Sequence, residues 1–455
     1  MKLTSDLKFQ PGKIKSLVSL GAIAAISLLF GCSPSQQSIS CPQPASTAEA
    51  ATRLKQTSDL ELSFLIDGTL SMQGYVNDLP DSRYSKTLRL MDSASSTGWN
   101  SANTKYYRFG TKKQPIDRET FLKAQLPVFY QSGSDFSTSR IDAALADPAD
   151  NRLSLVVTDL YQKDADVRLV QNLLAQRYLE KGYAIGILAV KSEFKGTVYD
   201  VGISNQNFGY STSGQTSRAF HPVYVMLLGS YGNINHFFDQ LQRNGLNDVE
   251  HEFVIFSPQP VAEAAVLNAN EIKTAPRKDI LQPKSLNDGR LVVRKQQPED
   301  PVQFLVVTKK TASQPTDVEL PYRALKGVLP VEPTAIALTP TLEKYQSQSK
   351  QFQPSNTQGL QLTDWNVKDG SIRFKAKIQA DQLESGIYRF QFDASPTDFI
   401  EPDWWKTWNA TEGNLDGAKT HNLQPFLRGL RLRTAELMKQ QKPVIARLCY
   451  AVQKK

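Results

Sequence analysis

The chain has 455 residues, of which 40% are hydrophobic and 22% charged, so it is long enough for two or three domains with ordinary buried cores. Its formal charge of +8 includes a net +3 from four lysines and one aspartate in residues 1–31, so the remainder carries +5. This excess is spread along the chain, and no stretch interleaves Lys or Arg with aromatic residues, which argues against nucleic acid as a partner.

Residues 1–31 have the pattern of an export signal. A lysine-containing segment precedes the apolar run SLVSLGAIAAISLLF at 16–30, which is short for a membrane span. The run ends in Leu29-Phe30-Gly31-Cys32, which resembles the lipobox of bacterial lipoproteins. That resemblance implies that Cys32 receives a lipid and becomes the mature N-terminus. An uncleaved N-terminal anchor is the alternative, and both place the body of the protein outside the cytoplasm.

With Ser33 after the cysteine, the resemblance favours the outer membrane and periplasm, or the cell surface, as the location. Residues 32–57 are predicted to be a flexible tether, because a segment rich in Ser, Pro, Gln and Ala cannot bury enough apolar surface to fold. Cys41 and Cys449 either pair as a disulfide in an oxidising compartment, or Cys449 is buried and Cys41 is unused.

Residues 58–262 alternate short apolar strands with helical patterns, which predicts a first α/β domain with a doubly wound, mostly parallel sheet. The clearest helix covers 164–182, where apolar residues recur at helical spacing and Gly182 marks the end. The clearest strands are LELSFLI at 60–66, RLSLVVTD at 152–159, YAIGILAV at 183–190 and PVYVMLLG at 222–229.

Residues 263–455 are predicted to form a β-rich C-terminal domain of the sandwich type. In SIRFKAKI, at 371–378, apolar and basic residues alternate strictly. In GIYRFQFDA, at 386–394, Tyr388, Phe390 and Phe392 alternate with polar residues. Period-two alternation without intervening helices indicates an antiparallel sheet with one solvated face. An amphipathic helix is predicted at 423–440. The three clustered tryptophans at 404–408 are predicted to pack a helix onto the sheet, and a ligand-stacking surface is the alternative.

The stretch from Asp67 to Gly74, DGTLSMQG, partly resembles the Asp-x-Asp-Gly-Thr loop of haloacid dehalogenase phosphatases. In that family the nucleophile lies two residues before the second aspartate, and that residue here is Leu65. A carboxylate is needed there to attack phosphorus, so the resemblance does not imply phosphatase activity.

The same stretch resembles the metal-ion-dependent adhesion site of von Willebrand factor type A (vWA) domains, which begins Asp-x-Ser-x-Ser and is commonly followed by Met-x-Gly. Thr69 replaces the first serine. A second piece of that site matches Ser139, which heads the pattern SRIDAAL, with Thr138 as the alternative register. The third piece, usually Thr-Asp-Gly, matches the segment from Thr158 to Leu160, except that Leu160 replaces the glycine. The resemblance covers 58–260.

The resemblance implies a Mg²⁺ site, or one for Mn²⁺ or Ca²⁺, held by oxygen atoms alone. Thr69 and Ser71 are expected to bind the ion directly, Asp67 and Asp159 directly or through water, and Ser139 or Thr138 would supply the last hydroxyl. Because hydroxyls bring no charge, the ion stays electrophilic and one position remains for a partner's carboxylate. The alternative is the same fold without metal, in which Asp67 caps the loop and Ser71 caps the following helix.

These features predict a lipid-anchored adhesion or scaffold protein rather than an enzyme. Its predicted partner is a protein that supplies a carboxylate to the metal. No His, Lys or Glu is obviously placed to activate water, and no Gly-x-Ser-x-Gly or His-Glu-x-x-His motif occurs. A periplasmic hydrolase or phosphatase, and a metal-free structural subunit of an envelope complex, are the alternatives.

Overall fold

A computed structural model of the protein describes most of the chain after residue 51. The described ranges are 52–130, 133–160, 167–201, 206–258, 262–263, 265–266, 286–287, 292–293, 303–308, 315–356, 359–411 and 415–455. The predicted signal, Cys32 and Cys41 lie outside them. Within the described ranges, no helix is both long enough and apolar enough to cross a membrane.

The N-terminal part contains a seven-stranded sheet, a hairpin and five helices. In chain order they are β1 (Asp59–Asp67), α1 (Arg83–Thr97), β2 (Ser101–Phe109), β3 (Lys113–Ile116), α2 (Arg118–Leu122), α3 (Ile141–Ala144), β4 (Arg152–Thr158), α4 (Val167–Arg177), β5 (Ala184–Ser192), β6 (Lys195–Val201), β7 (Gln206–Ser211), β8 (His221–Gly229), α5 (Tyr231–Arg243) and β9 (His251–Phe256). The sheet has the strand order β3-β2-β1-β4-β8-β5-β9, and β6 pairs with β7 outside it.

The α/β class is confirmed, but the sheet is mixed rather than mostly parallel. Strands β2, β1 and β4 are parallel neighbours, whereas β3, β8 and β9 pair antiparallel to the strands beside them. The reason lies between β5 and β8. The polar stretch after residue 205 forms β7 and turns back on β6, so no helix crosses the sheet there. The chain therefore re-enters the sheet at the end where β5 leaves it, and β8 must run antiparallel to β5.

Helices cover both faces of this sheet. Ser82 and Ser230 cap α1 and α5 by accepting the backbone N–H groups of Ser85 and Asn233. Apolar residues of these helices pack with one face of β1, β4 and β8. Helix α4 packs on the other face, and the turn after it ends at Gly182, whose φ of 80° is readily adopted only by glycine.

The segment 52–57 falls within the predicted tether but belongs to the folded part. Arg53 is buried, its Nε donates to Asp150 Oδ1 at 3.0 Å, and its guanidinium lies 4.2 Å from the centroid of the Tyr183 ring. The backbone N–H of Thr57 donates to Asn233 Oδ1 at 2.9 Å. The folded part therefore includes residues 52–57.

The C-terminal part is rich in strands, as predicted. Its elements are β10 (Ala262–Glu263), β11 (Ala265–Val266), β12 (Leu286–Asn287), β13 (Val292–Val293), β14 (Gln303–Val307), β15 (Thr316–Pro321), β16 (Arg323–Ala324), β17 (Ile336–Gln346), β18 (Gln351–Pro354), β19 (Leu360–Lys368), β20 (Ser371–Ile378), β21 (Gly386–Pro396), α6 (Asp403–Thr407), β22 (Asn409–Ala410), β23 (Thr420–His421), α7 (Leu423–Gln441) and β24 (Ala446–Lys454).

Two larger sheets organise this part. In one, β24 pairs with β21 on one side and with β11 and β14 on the other, and β21 continues to β17 and β18. The other has the order β15-β20-β19. The predicted alternation in β20 is confirmed, because Ile372, Phe374, Ala376 and Ile378 are buried and Arg373 and Lys375 are exposed.

One hydrophobic core joins the two parts of the chain. The face of the first sheet that carries α4 continues into α6 and α7, where Trp405 is fully buried against Phe256 of β9. Trp404 and Trp408 are buried in the same cluster, as the packing interpretation predicts. Cys449, in β24, is buried and disulfide-bonded. Its predicted partner, Cys41, lies outside the described residues.

Candidate metal site at the edge of the first sheet

The predicted site lies where three parallel strands end. Strand β1 is flanked by β2 and β4, with Ile66 opposite Val157 and Asp67 opposite Phe109. The carboxyl ends of these strands therefore meet at one edge, which is where ligands gather in open α/β sheets. Asp67 is the last residue of β1, and Thr158 is the last residue of β4.

Asp67 is fully buried and accepts four hydrogen bonds. Its Oδ1 accepts the backbone N–H of Thr69 at 3.0 Å and the hydroxyl of Thr69 at 2.8 Å. Its Oδ2 accepts the hydroxyls of Ser139 at 2.6 Å and Thr158 at 3.0 Å. Donors from three separate segments of the chain thus converge on one carboxylate.

Thr69 and Ser71 continue this network. The two hydroxyl oxygens lie 3.0 Å apart. Because the single hydroxyl proton of Thr69 is donated to Asp67, Ser71 is the donor between them. Ser71 lies inside the 3₁₀ turn Leu70–Tyr75, which has no side-chain N-cap, so it does not cap this turn. Asp67 does cap the loop, through the N–H of Thr69.

The structure decides between the two registers of the second segment. The Ser139 side chain is buried and bonded to Asp67, whereas Thr138 is only half-buried and has no described contact with the other site residues. Of the two, the structure brings the Ser139 hydroxyl to Asp67 and does not bring the Thr138 hydroxyl there. The helix predicted after Ser139 is short, since α3 covers only Ile141–Ala144.

The third segment supplies a side chain that the sequence analysis did not assign to the site. Thr158 donates to Asp67 and accepts the N–H of Leu160 at 3.2 Å. Its position before Asp159, in the Thr-Asp pair at a strand end, is the signal that could have identified it. Leu160 has a φ of 60°, the left-handed region that glycine adopts most readily, and this is the position where the adhesion-site pattern has its glycine.

Burial raises the pKa of Asp67, and the bonds from Ser139, Thr69 and Thr158 oppose that rise. Asp159 is 9% exposed. Burial is the main cause of the raised pKa of the Tyr75 and Tyr84 phenols, and the charges of Asp67 and Asp159 raise it further. Both carboxylates therefore act on the same pair of buried rings.

One cation of the protein lies beside this cluster. Arg108 of β2 donates from Nη2 to the carbonyl oxygen of Gly68 at 3.0 Å, and its guanidinium lies 3.6 Å from the centroid of the Phe136 ring. A Cβ at residue 68 would lie 2.3 Å from Arg108 Nε, so any other residue there would push the arginine out of this position. The site therefore combines two carboxylates with one nearby guanidinium.

The donor set fits a hard cation. All the converging side chains offer oxygen, the donor that Mg²⁺, Mn²⁺ and Ca²⁺ prefer, and the hydroxyls that donate to Asp67 keep lone pairs free. Across the described residues there is no cluster of three or more His, Cys, Asp or Glu side chains that could hold a metal, so a softer metal has no comparable site there.

Leu65, at the position of the phosphatase nucleophile, is buried in the core and cannot replace a carboxylate. The buried His221 bonds through Nδ1 to the carbonyl of Gly417 and packs on the rings of Tyr75 and Phe194, and no bond joins it to the hydroxyls of the site. Comparison of the chain with family models, with curated proteins and with solved structures finds no match.

Proposed function

We propose that this protein is an extracytoplasmic, lipid-anchored binding protein. Its first part is proposed to be a vWA-like domain that binds a partner protein through a divalent cation. The partner supplies a carboxylate to that cation. The observation that carries the proposal is the convergence of Ser139, Thr158 and the Asp67–Ser71 loop on one buried carboxylate. In this proposal the β-rich part, with its sandwich-type sheets, supports the domain and offers a second surface.

The residues that would hold the ion are Thr69, Ser71 and Ser139 through their hydroxyls, and Asp67 and Asp159 through carboxylates, directly or through water. When bound, the ion would supply a fixed positive charge with an open coordination position. The protein's own part is to hold the hydroxyl oxygens in place, because each donated proton orients its lone pairs.

Charge balance favours an acidic partner. Two carboxylates against one guanidinium leave the site with an excess of one negative charge, and a divalent cation would reverse that to one positive charge. A single carboxylate from a partner then neutralises the site. Oppositely charged groups in a partly buried setting attract more strongly than on an open surface.

Thermal unfolding with and without millimolar Mg²⁺ tests the metal site. Binding to the folded state alone stabilises by about 2.7 kcal/mol at a ligand concentration of roughly 100 times the dissociation constant, so the melting temperature should rise. Ser71→Ala removes one oxygen donor and should abolish most of that rise. Ser137→Ala is the matched control, because Ser137 is exposed and bonds only within its own loop. An unshifted melting temperature in the wild-type protein would refute the metal site.

A metal-free structural subunit of an envelope complex is the second candidate. One observation favours it: four hydrogen-bond donors and the nearby Arg108 already hold the Asp67 carboxylate in place without an ion. Capture of partners by the immobilised protein separates the two. Capture that EDTA abolishes supports the metal-bridged function, whereas capture that persists in EDTA supports the structural subunit.

A further inference from the structure

An exposed apolar patch lies beside the candidate metal site. Among the described residues, seven large apolar side chains are notably exposed. Three of them lie in, or directly before, two turns that pack against each other: Leu70 at 38%, Leu126 at 50% and Val128 at 52%. Single exposed apolar residues are ordinary on protein surfaces, but a group of them marks an interaction site. We call Leu70, Leu126 and Val128 the rim patch.

Two observations bring these residues together. The turn Leu70–Tyr75 packs against the turn Pro127–Tyr130, which contains Val128. Arg108 links the same segments, because it bonds to the carbonyl of Gly68 while its guanidinium lies 5.0 Å from the centroid of the Phe129 ring. The N–H of Phe129 donates to the carbonyl of Leu126, which fixes Leu126 at the start of the second turn.

The position of Leu70 ties the patch to the site. Leu70 is the residue between Thr69 and Ser71, whose hydroxyls lie 3.0 Å apart. Those hydroxyls are buried, yet the leucine between them faces solvent. A group that approached the site from outside would therefore meet the Leu70 side chain directly beside the point where it binds.

We propose that the partner segment carries an apolar side chain one or two residues from the carboxylate that binds the cation, and that this apolar side chain rests on the rim patch. This inference rests on the proposed function and narrows its partner. An extended segment advances about 3.3 Å per residue, so a neighbour of the acidic residue reaches Leu70 and the turn behind it. The cation binds the acidic residue of the partner, and the rim patch favours an apolar side chain at a neighbouring position.

Selection from a library of short random peptides with a fixed central aspartate tests the proposal. The immobilised protein is loaded with Mg²⁺, and bound peptides are eluted with EDTA. The expected result is enrichment of Leu, Ile, Val, Phe or Met next to the aspartate. Eluted peptides without an apolar preference would overturn the proposal while leaving the metal-bridged function intact.

Variants then assign the preference to the patch. Leu70→Ser and Val128→Ser should each weaken binding of an enriched peptide on the order of tenfold, the effect of losing the burial of one apolar side chain. Both should keep the Mg²⁺-dependent rise in melting temperature, since neither removes a metal-binding oxygen. Leu432→Ser, which alters an equally exposed leucine on α7, is the matched control and should bind as the wild type does.

Three further results would overturn the proposal. The first is an apolar preference that survives in both patch variants. The second is self-association of the wild-type protein in sedimentation that Val128→Ser abolishes, because the patch would then hold a second copy of the chain. The third is the absence of any EDTA-eluted peptide. If that occurs while Mg²⁺ still raises the melting temperature, only the partner chemistry fails; if Mg²⁺ has no effect, the proposed function fails as well.

Discussion

At the scale of single residues, Asp67 determines what the site can do. A buried carboxylate without partners would be costly, and here four donors offset that cost. The pKa of Asp67 is nevertheless raised, with burial as the main cause. A raised pKa means that the folded protein holds the proton of the Asp67 carboxyl more tightly than the unfolded chain does. The metal-free protein therefore loses stability as the pH rises through the folded-state pKa of Asp67.

A divalent cation should reverse this dependence, because it binds the deprotonated carboxylate and competes with the proton. We expect the Mg²⁺-dependent gain in melting temperature to shrink as pH falls, and to do so above the pH of about 3.9 at which an ordinary aspartate is protonated. Melting curves with and without Mg²⁺ across a pH series measure this gain. Asp67→Asn is the control and should show no divergence of the two curves. A gain that stays constant or grows on acidification would contradict the expectation.

The sequence could identify most residues of the site but not their exact set. The spacing of Asp67, Thr69 and Ser71 is local, so it can be read directly from the chain. The choice between Thr138 and Ser139 depends on the path of the loop before α3, which local pattern does not determine. The Thr-Asp pair at a strand end could have pointed to Thr158, but the bond of its hydroxyl to Asp67 depends on the register of β4 against β1, which the sequence does not give.

At the scale of elements, the end of β4 carries a local strain. Leu160 adopts a left-handed conformation, which costs an L residue about 1–2 kcal/mol, while its side chain is buried in the core. The bond from its N–H to Thr158 and the packing of its side chain hold it there. The strained turn positions Asp159 directly before it at the edge of the sheet.

Two truncations separate the strain from the packing. Leu160→Ala should cost about 2–5 kcal/mol of unfolding free energy, because it leaves a cavity and keeps the strain. Leu160→Gly relieves the strain and should be more stable than the alanine variant by about 1 kcal/mol, after the entropy of glycine in the unfolded chain is included. Urea unfolding measures both.

Leu155, buried within β4, is the control for this comparison. There the backbone is extended, so alanine should be more stable than glycine. If the alanine variant were more stable than the glycine variant at both positions, Leu160 would store no strain.

Elements were predicted better than their pairing. The strands and α4 could be predicted from apolar runs and helical spacing, since both patterns are local. The direction of β8 could not, because it depends on whether the chain crosses the sheet between β5 and β8, and the polar stretch that becomes β7 has the composition of a loop.

At the scale of the whole molecule, the C-terminal part reaches the edge of the first sheet. Tyr224 of β8, opposite Thr158, donates to Thr420 Oγ1 at 2.8 Å. Lys191, at the end of β5, is buried, donates to the carbonyl of Ala418 and lies 5.1 Å from the centroid of the Trp408 ring. The sequence could not predict these contacts, because they join residues 196 and 227 positions apart.

Burial lowers the pKa of Lys191 to about 8, with Glu250 and Asp416 opposing the shift and Lys419 adding to it. Between that value and the unfolded pKa of about 10.4, the unfolded chain binds more protons, so this residue should make stability rise with pH. We expect the unfolding free energy of the wild type, relative to Lys191→Met, to rise by at most about 3 kcal/mol from neutral pH to pH ~10.

Urea unfolding of the wild type and Lys191→Met at the two pH values measures this difference, and subtracting the variant removes the contribution of the buried tyrosines. Lys195→Met is the control, because Lys195 is exposed and paired with Asp78 on the surface. A difference that does not change with pH would show that Lys191 carries no cost of burial.

The position of β24 has a consequence for how a nascent chain folds. It is synthesised after every strand it joins, yet among the described residues β11 and β14 attach to their sheet only through it. Until residues 446–454 emerge, β14 has no neighbour there and one edge of β21 stays open. The larger C-terminal sheet is therefore completed only after its last strand has been synthesised, although β17, β18 and β21 can already pair with one another.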